Sequence, residues 1–383
     1  MSGKDRIQTL SWHVPETVVT GAGSMKGTGA LVQDVMKHPL VVTGPHLFRA
    51  GIITPVLDSL EEAGIGYAVF HDTESDPSIE TVEKIRTMYE KNACDGLIAV
   101  GGGSVMDAAK AAAVLIDDGG RLQDYEGARA RKISPLKMTL MAVPATAGTG
   151  SEVTPFAVIS DHERQVKMTV SSPFLIPQMV VLDPDLLKDV PPRLAAATGM
   201  DALIHALEAY VSRYGSFLSD GFAAQALEKI GRSLVKFVQT GNAEAAQDML
   251  EGSFLAGCAF SLSRLGLVHA LSHPLSAHYG IPHGTANALL LPEVIRFNQE
   301  AADRKYRQAA RLLGAGEQTD LADWVEELNR LLGIEMTWEI REEDLSVLVR
   351  DGLTSGNVQA NPRLAAEKDA ESIYKAIIAA HKA

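Results

Sequence analysis

The sequence predicts a two-part chain: an α/β domain built on a parallel sheet over residues 1–190, then an all-helical domain over residues 191–383. Three observations lead there. First, short continuous apolar runs alternate with amphipathic stretches through the first half, the pattern of strands buried on both faces between crossover helices. Leu40–Thr43 reads as a strand and Ile53–Ala63 as a helix ending at Gly64; Gly66–Phe70 and Ile79–Lys91 repeat the pair. Asp95–Val100 and Ser104–Leu115 repeat it again, followed by strands at Met138–Val143 and Val180–Leu182. Second, after Pro191-Pro192 only helical periodicity remains, over Phe222–Val238, Ala243–Leu262, Gln299–Leu313, Leu321–Leu332, Leu345–Asp351 and Ala365–His381. Third, 383 residues exceed one ordinary core.

Composition narrows the function classes. The formal net charge is −13, which excludes the basic face that nucleic acid needs. The two cysteines, Cys94 and Cys258, are far apart and imply no disulfide framework, which fits a reducing cytoplasm. No apolar run approaches a membrane span, and residues 1–16 lack the apolar segment of a secretory leader. A cytoplasmic protein that binds neither membrane nor nucleic acid is the expectation.

Two loops point to a nucleotide. In DGLIAVGGGSVMDAAK (residues 95–110), a buried strand runs through Gly101, Gly102, Gly103 and Ser104 straight into a helix. Glycines let backbone approach a bulky anion, Ser104 is a favourable N-cap, and amides at a helix start attract phosphate. The spacing is not G-x-G-x-x-G, so the common dinucleotide fingerprint is absent. PATAGTGSEVTP (residues 144–155) follows the next strand and offers Thr146, Thr149, Ser151 and Thr154 as hydroxyl donors. Asp107, in the first of these motifs, reads as structural.

Two further stretches point to a metal. In GMDALIHALEAYV (residues 199–211), Asp201 and His205 are four apart, hence on one face of a helix that is otherwise apolar nearly all round. A carboxylate and an imidazole there need partners. GLVHALSHPLSAHYGIPHG (residues 266–284) supplies His269, His273, His278 and His283. One Asp and three His around a divalent cation would satisfy most of these groups. Oxygen and nitrogen donors without thiolate suit Fe(II), Zn, Mn or Co. Spacing does not choose between His269 and His273.

These four motifs, with NPR at 361–363, resemble in order and spacing the iron-containing (group III) alcohol dehydrogenases, from about residue 10 to the end. The resemblance implies a dehydroquinate synthase-like architecture: an N-terminal dinucleotide-binding domain, a helical metal-binding domain, and an active site between them. It implies Asp201, His205, His269 and His283 as ligands of Fe(II), with Zn(II) as the alternative, and His273 as a proton relay beside the substrate. It implies a pyrophosphate loop at Gly101–Ser104, Thr146, Thr149 and Ser151 beside the nicotinamide, and Lys167 as a nucleotide contact. The activity implied is hydride transfer between NAD(P)H and a short-chain alcohol or aldehyde. A homodimer or higher homo-oligomer is the expected assembly.

Two positions depart from the pattern. Where many NAD-preferring members carry Asp after the first nucleotide-domain strand, this chain has Gly44, which removes repulsion of a 2′-phosphate and predicts that NADP(H) is accepted. Arg264 replaces a small residue near the substrate pocket, and it is the only charged residue other than histidine between Glu251 and Glu293. A buried Arg wants an anionic partner, so Arg264 points to a substrate with an acidic group, with Phe260 one turn earlier as a wall of the same pocket. Competing readings are a glycerol-dehydrogenase-like polyol oxidase and a nucleotide-free metal hydrolase. A dehydroquinate-synthase-like lyase would need a Lys/Arg cluster that this chain lacks.

Overall fold

A computed structural model describes residues 10–127, 130–316 and 318–382. Most of the stretch in which a leader was sought therefore lies outside the described residues. The first half contains strands β1 (Thr17–Thr20), β2 (Leu40–Thr43), β3 (Ala68–Phe70), β4 (Gly96–Gly101), β5 (Thr139–Pro144), β6 (Phe156–Asp161), β7 (Val166–Ser171) and β8 (Met179–Leu182). Helices α1 (Thr28–Val32), α2 (Pro45–Arg49), α3 (Thr54–Glu62), α4 (Ile79–Lys91) and α5 (Gly103–Asp118) connect them.

Six strands form one parallel sheet in the order β1-β8-β5-β4-β2-β3. Alternation along each strand sends side chains to opposite faces. Leu40, Val42, Leu97, Ala99, Leu140 and Ala142 join the core that includes Val82 and Ile85 of α4 and Val105 of α5. Val41, Ile98, Val100, Met141 and Val143 join the core formed with Val32 of α1 and Val56 and Leu60 of α3. Both faces are covered, which is why these strands read as unbroken apolar runs. After β2 the chain winds one way, to β3, and after β4 the other way, to β5. The crevice at the carboxyl ends of β2 and β4 is the place where such sheets bind ligands.

Two features of this half went unread in the sequence. β1 is a short edge strand whose burial alternates, and β6 pairs antiparallel with β7, from Phe156↔Ser171 to Asp161↔Val166. The hairpin has no Asn-Gly signal: Asp161 Oδ1 accepts from Arg164 N at 2.9 Å, and Gln165 takes φ 54°.

The second half is helical: α6 (Pro192–Val211), α7 (Phe217–Thr240), α8 (Ala243–Ser263), α9 (Leu267–Tyr279), α10 (His283–Leu312), α11 (Leu321–Leu331), α12 (Leu345–Leu353) and α13 (Glu367–Lys382). Helices α7, α8 and α10 pack around α6, so that helix is buried on nearly every side. The helix expected over 299–313 begins sixteen residues earlier and runs through Pro292. Its first turn lies hard against α6: a Cβ on Gly284 would sit 2.1 Å from the Ala197 carbonyl oxygen. Glycine there brings His283 onto the same ground as Asp201. No single described helix is long and apolar enough to cross a membrane.

Candidate metal centre and cofactor cleft

Asp201 and His205 project from one face of α6, His269 from α9, and His283 from the first turn of α10. The Nε2 atoms of His205, His269 and His283 lie 3.7, 3.5 and 3.8 Å from Asp201 Oδ1. Asp201, His205 and His269 form a buried cluster that could hold a metal ion. His283 closes it on the cleft side, its side chain 38% exposed.

The orientation of two rings is fixed from behind. His205 Nδ1 is 3.0 Å from the Gly148 carbonyl oxygen, and His269 Nδ1 is 2.7 Å from Glu208 Oε2. Both partners accept, so each Nδ1 carries the proton and each Nε2 keeps its lone pair toward Asp201. Burial opposes the charge on Asp201, but the neighbouring histidines outweigh it and hold the carboxyl well below the usual carboxylate range. Burial likewise opposes a charge on His269, yet Glu208 and Asp201 outweigh it, so the pocket draws a cation to its Nε2, a proton or a metal ion in the proton's place. The centre attracts positive charge.

A divalent cation fits this set. Asn287, one turn after His283, places Nδ2 2.8 Å from Asp201 Oδ1, 3.2 Å from His269 Nε2 and 3.1 Å from His283 Nε2. An amide NH2 has two hydrogens and cannot serve three acceptors. Its Oδ1 meanwhile is buried without a partner among the described residues. Converging lone pairs that a side-chain amide cannot satisfy are the donor set a metal would satisfy.

Glu208 and Asn287 were not singled out from the sequence. The signal for Glu208 was its spacing: with Asp201 and His205 it falls at i, i+4 and i+7 on α6. Its carboxylate also accepts from Gly266 N at 2.8 Å and Val268 N at 2.7 Å, while Asn361 Oδ1 accepts from Leu267 N at 3.2 Å. The amides opening α9 are thus satisfied by side chains from elsewhere, which seats His269 and explains the NPR motif.

The other histidines separate. His273, one turn from His269, faces the cleft with its ring stacked 5.3 Å from that of His283. His278 points away and pairs with Asp351 at 2.9 Å.

The cofactor loops meet beside this cluster. A Cβ on Gly103 would lie 2.8 Å from Thr149, and one on Gly102 3.3 Å from Thr146, so glycine permits the close approach of the two loops. Ser104 is not the N-cap: Gly102 holds that position, and Ser104 Oγ donates to the Ser75 carbonyl from inside α5. The expectation failed because α5 begins at Gly103, directly after the strand, which puts the cap two residues earlier than expected. No side chain among the described residues caps α5, so its first amides stay available to an anion, which suits a pyrophosphate. Asp107 accepts from Ser151 Oγ at 2.6 Å and Val158 N at 3.0 Å, and it also lines the cleft. Gly44 has φ −94°, a conformation open to any residue, so the turn does not require glycine. Lys167, on β7, pairs with Asp76 at 2.7 Å.

A cleft of about 810 Å³ joins Thr149, Ser151 and Thr154 to the metal cluster, His273, Phe260 and Arg264. That size suits a nicotinamide and a small substrate together. The Phe260 ring packs 4.6 Å from that of His205. Arg264 is exposed on the cleft rather than buried as the sequence implied, because it lies beyond the last turn of α8.

Comparison with known proteins agrees with this geometry. The profile described as Iron-containing alcohol dehydrogenase matches residues 15–184, and that described as Fe-containing alcohol dehydrogenase family, C-terminal, matches residues 195–378. NAD-dependent methanol dehydrogenase of Bacillus methanolicus is 34% identical over 95% of this chain and 99% of its own. Lactaldehyde reductase of Escherichia coli K12 is 35% identical over 94% of this chain and 97% of its own. The crystal structure of a 1,3-propanediol oxidoreductase superposes with a TM-score of 0.91 at 34% identity, covering 97% of this chain and all of that one. The chain belongs to the iron-containing alcohol dehydrogenase family and is an oxidoreductase of alcohols and aldehydes.

Proposed function

We propose that the protein is a metal-dependent, NAD(P)-linked reductase of short-chain aldehydes, reversible as an alcohol dehydrogenase. The observation that carries this reading is the hydrogen bond from His205 to the Gly148 carbonyl, which joins the metal cluster directly to the loop between Thr146 and Thr149. Asp201, His205, His269 and His283 would hold Fe(II), with Zn(II) as the alternative. Bound there, the metal supplies Lewis acidity to the substrate oxygen and the nicotinamide supplies or accepts the hydride.

The chain's own groups do the rest. Glu208 and the Gly148 carbonyl keep two imidazoles aimed at the centre. The start of α5 receives the pyrophosphate, and Thr146, Thr149 and Ser151 orient the nicotinamide. Phe260 excludes water from one wall. His273 holds or passes the proton that the substrate oxygen gains or loses. Short substrates are supported by relatives named for methanol and lactaldehyde. Gly44 supports acceptance of NADP(H), since no carboxylate stands there to repel a 2′-phosphate. The two buried free cysteines are in keeping with a reducing cytoplasm.

Protein purified without oxygen and reloaded with Fe(II) should reduce butanal with NADPH. Chelation should abolish the rate, and Fe(II) or Zn(II) should restore it. A metal-stripped protein with full activity would overturn the metal reading. A preference for NADH of about tenfold or more in kcat/KM, some 1.4 kcal/mol, would overturn the prediction about Gly44.

A further inference from the structure

We infer that the cleft carries an anion subsite at Arg264, and that the substrate is a short aldehyde or alcohol bearing a carboxylate, sulfonate or phosphate at its far end. This rests on the redox reading above and narrows it to a substrate class.

The backbone is the first observation. Arg264 has φ 62° and ψ 174°, a region that side-chain-bearing residues rarely enter and that glycine enters freely. Only three described non-glycine residues have positive φ, and Arg264 alone of them lines the cleft. Glycine would fit this elbow without strain. A long cation stands there instead, and strain of this kind persists where the side chain is wanted.

Placement is the second. Arg264 N donates to the Phe260 carbonyl at 2.7 Å, so the residue lies one turn beyond the ring that packs on His205. Three residues later α9 begins, the helix that carries His269 and His273. Arg264 therefore lines the same cleft as Phe260 and the metal cluster, within which a substrate with its oxygen at the cluster would lie.

Charge is the third. Arg264 is the only Lys or Arg among the described residues lining the cleft. It makes no ion pair among the described residues, whereas Arg164, Arg232 and Arg296 are each held by acids. Its guanidinium lies over the Tyr214 ring, 5.5 Å from the centroid. That contact involves no acid, and no hydrogen bond among the described residues uses the guanidinium N–H groups. A guanidinium so placed matches the oxygens of a carboxylate, sulfonate or phosphate.

The test compares succinic semialdehyde, sulfoacetaldehyde and glycolaldehyde phosphate with butanal, using Fe(II)-loaded enzyme and NADPH. In the native enzyme at least one anionic aldehyde should exceed butanal about tenfold or more in kcat/KM, the size of one charge-assisted contact. Which anion leads identifies the headgroup. In Arg264→Ala and Arg264→Gly that ratio should fall about tenfold or more, with most of the loss in KM, and Arg264→Lys should recover part of it. Arg264→Gly should melt no lower than the native protein, since it relieves the backbone. Butanal preferred over all three anions, or a ratio within about twofold of native in both truncations, would overturn the inference. A second readout needs no turnover: 4-hydroxybutyrate binding to metal-free protein, followed by calorimetry, should weaken by a similar factor in Arg264→Gly. If no aldehyde is reduced but this binding still depends on Arg264, the redox reading fails and the anion subsite stands. If butanal is reduced and the binding does not depend on Arg264, the subsite alone falls.

Discussion

Replacing Glu208 by glutamine separates the two tasks of that side chain. The carboxylate takes three donors: Gly266 N at 2.8 Å, Val268 N at 2.7 Å and His269 Nδ1 at 2.7 Å. Glutamine keeps the volume but has one acceptor oxygen, and its NH2 must face at least one of those donors. A buried donor left unpaired costs about 1–3 kcal/mol. Loss of negative charge at the start of α9 adds roughly 0.3–1 kcal/mol. The metal-free variant should therefore be about 1–4 kcal/mol less stable in urea. His269 would also lose the partner that fixes its tautomer, and outer-shell changes of this kind weaken metal binding about 10–100-fold. Competition against a chelator dye measures the second effect apart from the first. Glu208→Gln with native urea stability and native metal affinity would refute the reasoning. Lower stability with unchanged affinity would leave Glu208 as a support of α9 only.

A second buried polar group should respond as sharply. Lys110 is fully buried and donates to Ser151 Oγ at 2.9 Å, Thr154 O at 2.9 Å and Phe156 O at 3.0 Å. Lys110→Met fills the space but strands those acceptors and leaves Asp107 without its cation, so the loss should be about 3–5 kcal/mol in urea unfolding. A loss below about 1 kcal/mol would mean that the cluster adds no net stability. Glu152 supplies a pH signature. Burial raises it from an ordinary 4.5 to about 7, against the pull of its own backbone amide and Lys110. The native state then holds a proton that the unfolded chain releases. That contribution is complete below pH 4.5 and is lost as the pH rises through 7. Glu152→Gln should thus gain stability relative to the native protein between those limits, and a difference flat with pH would sink the assignment.

The sequence by itself determined most of the fold and singled out the candidate metal donors, although spacing left His269 and His273 as alternatives. Strands such as Leu40–Thr43 are buried on both faces, so their composition announces them without reference to any partner. Asp201 and His205 stand out because two polar groups interrupt an otherwise apolar helix, and the spacing that makes them conspicuous is the spacing that puts them on one face. Glu208 obeys the same spacing, yet its role depends on the amides of α9, some 60 positions away in the chain. Asn287 reads as one more polar residue until three acceptors converge on it. Tertiary structure alone decided those contacts, along with the capping of α5 at Gly102 rather than Ser104 and the separation of His278 from His269, His273 and His283. It alone set Arg264 in a strained backbone, exposed on the cleft instead of in the interior. The physical reason is common to all of these. Periodicity reports which face of an element is buried, because burial acts along the whole element. Hydrogen-bond partners, close approaches and backbone strain are fixed only where distant segments meet, and no local pattern carries that information.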